Sequence, residues 1–312
     1  MSDTLKAFSL TAEDRENIGD RPIVASVSGG KDSGAMALWL LEQELPFTAV
    51  YMDTGWEHEA TSDYVRGYLP KFLGQEIEVI TPKKNFVELI RHKQMFPGRV
   101  RRFCTQELKI RPFERWVKAR YGDGRGPVNA IGIRAAESRK RSTMPRWRTE
   151  DGLDWFLRIW RPLIDWTEAD VIAIHQRHGM RPNPLYLTHG VSRVGCWPCI
   201  HARKSELRRI AEVDPDRIAL IAELEHEIQE AARLRYEARG ETFESLGYTP
   251  PTMFTLRDGS QEGRPNVHRS IDEMVAWAKT GRGGSQLTMD VPESGCVRWG
   301  MCDLPPDVEE DS

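Results

Sequence analysis

Residues 23–33 read IVASVSGGKDS. Ile23, Val24 and Val27, with small Ala25 and Ser26 between them, have the character of a short buried strand. Ser28-Gly29-Gly30-Lys31-Asp32-Ser33 follows, and after Gly34 the stretch AMALWLLEQEL carries apolar residues at helical spacing from Ala35 to Leu45. A strand, a glycine turn and a helix in that order aim free backbone N–H groups and the positive end of a helix at one point, which suits a phosphate. Gly29 and Gly30 permit a tight turn with no Cβ in the way of a ligand. Lys31 adds a mobile positive charge, and Ser28 and Ser33 add hydroxyls. The spacing is neither G-x-x-x-x-G-K-[ST] nor G-x-G-x-x-G, so the two commonest glycine motifs are excluded.

Outward from this stretch, strand and helix patterns alternate. FTAVYMDTG (47–55), EIEVI (76–80) and PVNAIGIRA (127–135) read as strands, and EHEATSDYVRGYLPKFL and NFVELIRHK have helical spacing. The expected fold class is therefore α/β, a parallel twisted sheet with helices on both faces. Ligands of such sheets collect at the carboxyl ends of the strands. The Ser28 loop, Asp53 and Gly132-Ile133-Arg134 all fall at strand ends on this reading. Residues 1–200 are expected to form the nucleotide-binding domain. Residues 201–312 are expected to form a helical extension and a cysteine-bearing tail, with Pro215 breaking two charged helices and SIDEMVAWAKT forming a short amphipathic one. The last residues, PPDVEEDS, read as an acidic disordered end.

The chain has 312 residues, of which 29% are charged and 39% hydrophobic, the balance of a globular protein. A net charge of −3 argues against a general nucleic-acid coat protein but leaves room for a local basic surface. No apolar run approaches a membrane span and the N-terminus lacks a signal-peptide core, so a cytoplasmic location is expected. Five cysteines in such a compartment read as metal or redox residues rather than a disulfide framework.

Several pieces carry chemistry. Asp53, in YMDTGWE, suits an adenine amine, a ribose hydroxyl or Mg²⁺ beside the phosphates, or alternatively a helix N-cap. Cys104, in RRFCTQELKIRPFERW, precedes a helical stretch bearing Lys109 and Arg111. GIRAAESRKR (132–141) gathers Arg134, Ser138, Arg139, Lys140 and Arg141. Guanidinium groups beside a strand end bind phosphate or sulfate in bidentate fashion, and Lys140 and Arg141 read equally well as a solvated face. Thr167 and Asp170 form a capping-box pattern. His175 and His178 lie on the helix it starts and, lacking a third ligand nearby, read as packing or surface residues. Cys196-Trp197-Pro198-Cys199 suits zinc, an iron–sulfur cluster or a redox disulfide.

The loop SGGKDS resembles the signature of the PP-loop ATP pyrophosphatases. Together with MDTGWE, the C-T-x-x-L-K-x-x-P run at Cys104, GIRAAESRKR and the PL-x-DWT…NPLY…GC-x-x-C block, it resembles the phosphoadenosine phosphosulfate (PAPS) reductase-like branch of that superfamily over roughly residues 21–225. The resemblance implies an adenine nucleotide alpha-hydrolase-like fold. Reductases of this branch typically carry a degraded loop and a terminal E-C-G-L-H. Here Lys31 and Asp32 are present, and the nearest terminal match is ESGC at 293–296. Those departures favour similarity to the sulfurtransferases of DNA phosphorothioation and cluster-dependent tRNA thiolation.

On that resemblance Ser28, Gly29, Gly30, Lys31, Asp32 and Ser33 hold MgATP, with Asp53, Gly132 and Arg134 completing the nucleotide site. Lys31 and Asp32 are catalytic with Cys296, the free thiol, and Lys109 and Arg139 contact substrate. A [4Fe-4S] cluster is held by Cys104, Cys196, Cys199 and Cys302, with a zinc site as the alternative. Thr105 stands where cluster-bearing reductases have a second adjacent cysteine; either tail cysteine could supply the missing ligand, with Cys302 assigned here and Cys296 the alternative. The implied partners are ATP, a DNA or tRNA acceptor, and a sulfur donor such as a cysteine desulfurase. The competing readings are a sulfonucleotide reductase that forms sulfite through Cys296 and a non-catalytic nucleotide-binding subunit with structural zinc.

Overall fold

The computed structural model describes residues 9–98, 101–122, 125–150, 157–256 and 267–281. Among them β1 (Ile23–Ser26), β2 (Phe47–Met52), β3 (Ile77–Ile80), β4 (Val128–Ile131), β5 (Trp147–Glu150) and β6 (Leu157–Trp160) form one sheet in the order β3-β2-β1-β4-β6-β5. All neighbours are parallel except β5, which runs antiparallel to β6 along the edge. The chain builds outward from β1 to β3 and then returns across β1 to lay down β4. Strand order thus reverses between β1 and β4, where an open α/β sheet leaves a crevice at its carboxyl edge. Ser26 pairs with Val50 on one side and Ile131 on the other. That register sets the glycine loop between the ends of β2 and β4.

The α/β expectation holds, and the strands at 47–55, 76–80 and 127–135 appear as β2, β3 and β4. The β5–β6 hairpin was not anticipated. Its strands are four residues each and carry Arg148 and Arg158 among the apolar positions, so they read locally as part of a basic stretch. The long helical pattern after Glu57 becomes helices Glu59–Asp63 and Leu69–Leu73 joined by a π-helical turn, Tyr64–Tyr68. A second π turn, Gln106–Ile110, precedes the Arg111–Tyr121 helix. Each ends two residues before a proline, Pro70 or Pro112. A proline ring cannot donate to the carbonyl four residues back and collides with it, and widening the preceding turn relieves that conflict.

The Lys31–Glu42 helix lies under the sheet with Lys31 and every residue from Ser33 to Leu40 buried, as expected of a helix that is apolar on all sides. A second core joins Trp56, Phe86, Leu89, Ile90 and Leu108 to Leu207, Ile221, Leu224 and Ile228 from helices Lys204–Val213 and Pro215–Glu237. Buried Glu225 ties this layer together by accepting the backbone N–H groups of Met253 at 2.9 Å and Ile271 at 2.8 Å. Among the described residues no helix is long and apolar enough to cross a membrane.

The Ala12–Ile18 helix is riveted to the β5–β6 edge by one carboxylate. Asp14, fully buried, accepts two hydrogen bonds from Arg146, both at 2.8 Å, and one each from the indole N–H groups of Trp147 and Trp160, both at 2.9 Å. Burial pushes the Asp14 carboxyl up, but the hydrogen bonds and charge of Arg146 and the backbone N–H of Thr11 outweigh it, leaving the pKa below its ordinary 3.8. A group depressed in the folded state stabilises the fold above its unfolded pKa and loses that contribution as pH falls through the folded value. Asp14→Asn is expected to lower stability by about 3–5 kcal/mol, because it leaves the Arg146 charge without its partner. It should also remove the acid-dependent part of the loss below pH 3.8. Urea titrations of both proteins between pH 3 and pH 7 (about the range spanned by carboxylate ionisation) check this, and parallel pH profiles would contradict it.

Candidate active site

Ser28 to Ser33 leave the end of β1 and turn directly into the buried helix, with Gly30 as its N-cap. Gly29 has φ +73°, and a Cβ there would lie 2.9 Å from Val65 Cγ2 and 3.0 Å from Thr61 Cγ2, so only glycine fits. Ser33 Oγ donates to the Gly30 carbonyl at 2.9 Å and accepts the Ser28 N–H at 3.0 Å, which holds the loop in shape from within. Ser28 Oγ lies 3.2 Å from Ser33 Oγ.

The two charged residues of the loop are held from opposite sides. Asp32 forms an ion pair with the guanidinium of Arg134, itself buried to 5% exposure at the end of β4. Burial pushes the Asp32 carboxyl up, and Lys31 and Arg134 oppose that shift. Lys31 is buried; its Nζ donates to the Ser192 carbonyl at 2.9 Å and lies 3.3 Å from a Glu168 carboxylate oxygen. The strand beside the loop must come very close for the Asp32–Arg134 pair to form. At Gly132 an added Cβ would sit 2.5 Å from the Asp32 carbonyl oxygen and 2.8 Å from Ser33 Cα. Gly132 therefore serves the site by letting β4 and the helix N-terminus meet.

Asp53 sits at the end of β2, next along the edge. Its Oδ1 accepts the Gly55 N–H at 2.9 Å and its Oδ2 meets Arg66 at 2.5 Å. It is not a helix N-cap; His58 caps the following helix. Arg139 is exposed in the turn beyond Arg134. His175 is fully buried with Nδ1 2.7 Å from the Val171 carbonyl oxygen, and burial lowers its pKa to about 4. His178 Nε2 lies 2.7 Å from Glu42. Both are packing residues, as their isolation on the helix implies, and the Thr167–Asp170 capping box that starts it is formed.

A second convergence lies beside the first. Cys104, Cys196 and Cys199 pack at the edge of the second core. Lys109 stands among them, its pKa raised by the Cys196 sulfur and further by Glu57, Cys199 and Cys104 against the effect of burial. Burial pushes the Cys196 thiol up to about 11, opposed by Lys109, and burial likewise raises Cys104. Lys109 is thus placed among the cysteines.

The MDTGWE turn positions the C-x-x-C segment. Glu57 and Cys196 form an antiparallel bridge, Trp197 N–H donates to the Trp56 carbonyl at 2.8 Å, and Trp56 Nε1 donates to the Pro198 carbonyl at 3.0 Å. By donor chemistry soft thiols suit zinc and an iron–sulfur centre alike. Among the described residues no group of three His, Cys, Asp or Glu side chains is placed to hold a metal ion. The remaining candidates, Cys296 and Cys302, lie outside the described residues.

Residues 22–202, which include both convergences, match the phosphoadenosine phosphosulfate reductase domain. The chain belongs to the PAPS reductase-like family. An uncharacterized 37.8 kDa protein of Escherichia phage 186 is 32% identical over 90% of this chain and 96% of its own length. The adenosine 5'-phosphosulfate reductase of Mesorhizobium japonicum is 24% identical over 62% of this chain and 72% of its own. Among solved structures, phosphoadenylyl-sulfate reductase from Candida auris is 16% identical with a TM-score of 0.45, covering 61% of this chain and 97% of that one.

In this PAPS reductase-family protein the structure gathers Ser28 to Ser33, Gly132 and Arg134 at one point, sets Asp53 at the adjoining strand end, and brings Cys104, Cys196, Cys199 and Lys109 together. The reading of the residues did not single out Trp56, Glu57, Tyr186 or Ser192. Three of these stand inside quoted motifs, MDTGWE and NPLY, but the contacts that build the site, Trp56 with Pro198, Glu57 with Cys196 and Tyr186 with Lys31, leave no local pattern.

Gly132→Ala is expected to destabilise the protein by about 2–4 kcal/mol, because backbone on both sides has to move to admit the methyl group. Gly67→Ala, where a Cβ meets nothing within 4 Å, is the control. Thermal unfolding should separate the two by several degrees, and equal midpoints would show that β4 and the helix do not meet as described.

Proposed function

We propose that this protein is an ATP-dependent adenylylating enzyme of the sulfurtransferase type that acts on a nucleic acid. The observation that carries the reading is the complete glycine loop, with Lys31 and the Asp32–Arg134 pair in place beside a second group of three thiols. A glycine loop that keeps its lysine suits the triphosphate of ATP.

In this reading the loop N–H groups and Lys31 hold the β- and γ-phosphates of MgATP at the helix N-terminus. An oxygen of the acceptor attacks the α-phosphorus, the bond from that phosphorus to the bridging oxygen breaks, and pyrophosphate leaves. Lys31 and the loop amides stabilise the charge that develops on the departing pyrophosphate. The Arg134 guanidinium holds Asp32 in line and keeps the first helical turn fixed while this happens. Asp53 contributes at the nucleotide or Mg²⁺ after exchanging its Arg66 contact. Displacement of AMP by a sulfur nucleophile completes the transfer. Cys104, Cys196 and Cys199, with Cys302, would hold a [4Fe-4S] cluster. Such a group, when bound, supplies an iron able to carry sulfur. Lys109 offsets negative charge on the cysteines, and Arg139, exposed at the rim, is free to meet a nucleic-acid phosphate. Cys296 remains the free thiol of this scheme.

The adenosine 5'-phosphosulfate reductase relatives favour a second reading, reduction of a sulfonucleotide to sulfite through Cys296. Equilibrium competition on anaerobically purified protein separates the two. We expect ATP to displace a fluorescent adenine nucleotide more tightly than adenosine 5'-phosphosulfate or PAPS, in a Mg²⁺-dependent manner that Lys31→Ala weakens at least tenfold. Preference for a sulfonucleotide, with Lys31→Ala neutral, would instead support the reductase. Iron and acid-labile sulfide measured on the same preparation, against zinc, test the assignment of the cysteines.

A further inference from the structure

One hydroxyl sits where a phosphate oxygen would be expected. Tyr186, in the Pro184–Thr188 helix, is 4% exposed. Its Oη accepts the backbone N–H of Lys31 at 3.1 Å, and the backbone of Val194 also hydrogen-bonds to it. The Lys31 N–H is the first of the donors that a helix start leaves without an intrahelical acceptor, and these donors are what make a helix N-terminus an anion site. The Lys31 side chain is occupied from the same direction. Its Nζ bonds the Ser192 carbonyl at 2.9 Å and stands 5.1 Å from the centre of the Tyr186 ring. A Cβ on Gly30 would lie 3.4 Å from the Val194 carbonyl oxygen and 3.6 Å from Tyr186 Oη, so the covering segment lies directly on the loop. Burial, with the nearby Asp32 charge, raises the Tyr186 pKa, so the group filling this position is a neutral phenol.

Tyr186, Ser192 and Val194 all belong to one stretch, which runs straight into Cys196. The Pro184–Thr188 helix also borders a cavity of about 400 Å³, to which Pro184, Leu187 and Thr188 contribute.

We propose that the Tyr186 hydroxyl is a stand-in for a phosphate oxygen: a phosphate group entering the glycine loop takes over the Lys31 N–H, displaces the hydroxyl, and moves the segment that carries Cys196. This rests on the reading of the loop as a phosphate site. The exchange has a physical direction. A hydrogen bond to an anionic oxygen is roughly twice as strong as one to a neutral hydroxyl, so the anion wins when present, and the hydroxyl satisfies a buried donor when it is absent. The two states differ in their affinity for phosphate, which is the condition for a ligand to shift a conformational equilibrium. Occupancy of the nucleotide loop would in this way be transmitted to the thiols, which the MDTGWE turn also grips from the other side. Tyr186 is a positioning residue in this scheme.

The test uses inorganic pyrophosphate with the full-length protein and its Tyr186→Phe and Lys31→Ala variants, each confirmed as folded by circular dichroism. Tyr186→Phe keeps the ring and removes the competitor. It is expected to bind pyrophosphate about two- to tenfold tighter by calorimetry, the equivalent of one net hydrogen bond that no longer has to be broken. Hydrogen–deuterium exchange gives a readout that a merely structural role would not move. Pyrophosphate should speed exchange of the peptide spanning residues 191–197 in the unaltered protein, whereas Tyr186→Phe should show the faster exchange with no ligand added. Binding that Lys31→Ala abolishes but Tyr186→Phe leaves unchanged or weakens would overturn the proposal while leaving the phosphate site standing. No pyrophosphate binding by the unaltered protein would overturn both.

Discussion

The buried pair between Asp32 and Arg134 joins the first turn of the central helix to the end of the strand beside it. Arg134 is buried and Asp32 keeps 16% of its side chain exposed, so the guanidinium above all depends on this carboxylate. Removing one partner of such a pair is strongly destabilising, because the remaining charge is left uncompensated. The pair in turn requires backbone at Gly132 to pass against Asp32 and Ser33, and that closeness fixes where the glycine loop opens relative to the sheet. Everything in the candidate site is measured from this contact: Lys31 faces one way toward Glu168 and Ser192, and Asp53 stands at the next strand end.

A second constraint links the sheet to the cysteines. The turn after β2 holds Asp53 through Gly55 and Arg66 and, three residues later, sends Trp56 into the second core, where it stacks on Phe86 and holds Pro198 through its indole N–H. Arg217 from the Pro215–Glu237 helix lies 4.6 Å from the Trp56 ring centroid and donates to the Glu57 carbonyl. One short turn therefore touches the nucleotide loop's neighbour, the C-x-x-C segment and the helical layer. The thiols and the loop are thereby parts of one packed unit.

Three charged groups in the interior are held by partners. Asp14 with Arg146, Asp32 with Arg134, and Lys109 among the cysteines each place an ionised or ionisable group where burial alone would neutralise it, with a partner that offsets the desolvation. The chain as a whole is slightly acidic, with a net charge of −3. Its basic residues near the site are consequently local features, some committed to structure, as Arg134 and Arg146 are, and others exposed, as Arg139 is.

Much of this was legible in the amino-acid order. SGGKDS between an apolar strand and an apolar helix determined the loop, because a strand, a glycine turn and a helix start are all local, with hydrogen bonds that span few residues. The alternation of patterns up to residue 135 determined a parallel sheet for the same reason. The capping boxes at Thr167 and the break at Pro215 were also set by neighbours in sequence. Tertiary structure alone decided what depends on pairing across distance. The β5–β6 pair, with Arg148 and Arg158 breaking its apolar pattern, does not announce itself, and it is tied down by Asp14, more than a hundred residues earlier, which gathers Arg146, Trp147 and Trp160. Lys109 is read from the sequence as a substrate contact, and only folding sets it among Cys104, Cys196 and Cys199. Tyr186 reads as a residue of a turn until its hydroxyl is found on the Lys31 N–H. A side chain's chemistry is fixed by its own residue, but the partner that gives that chemistry a use is supplied by packing, which follows no local period.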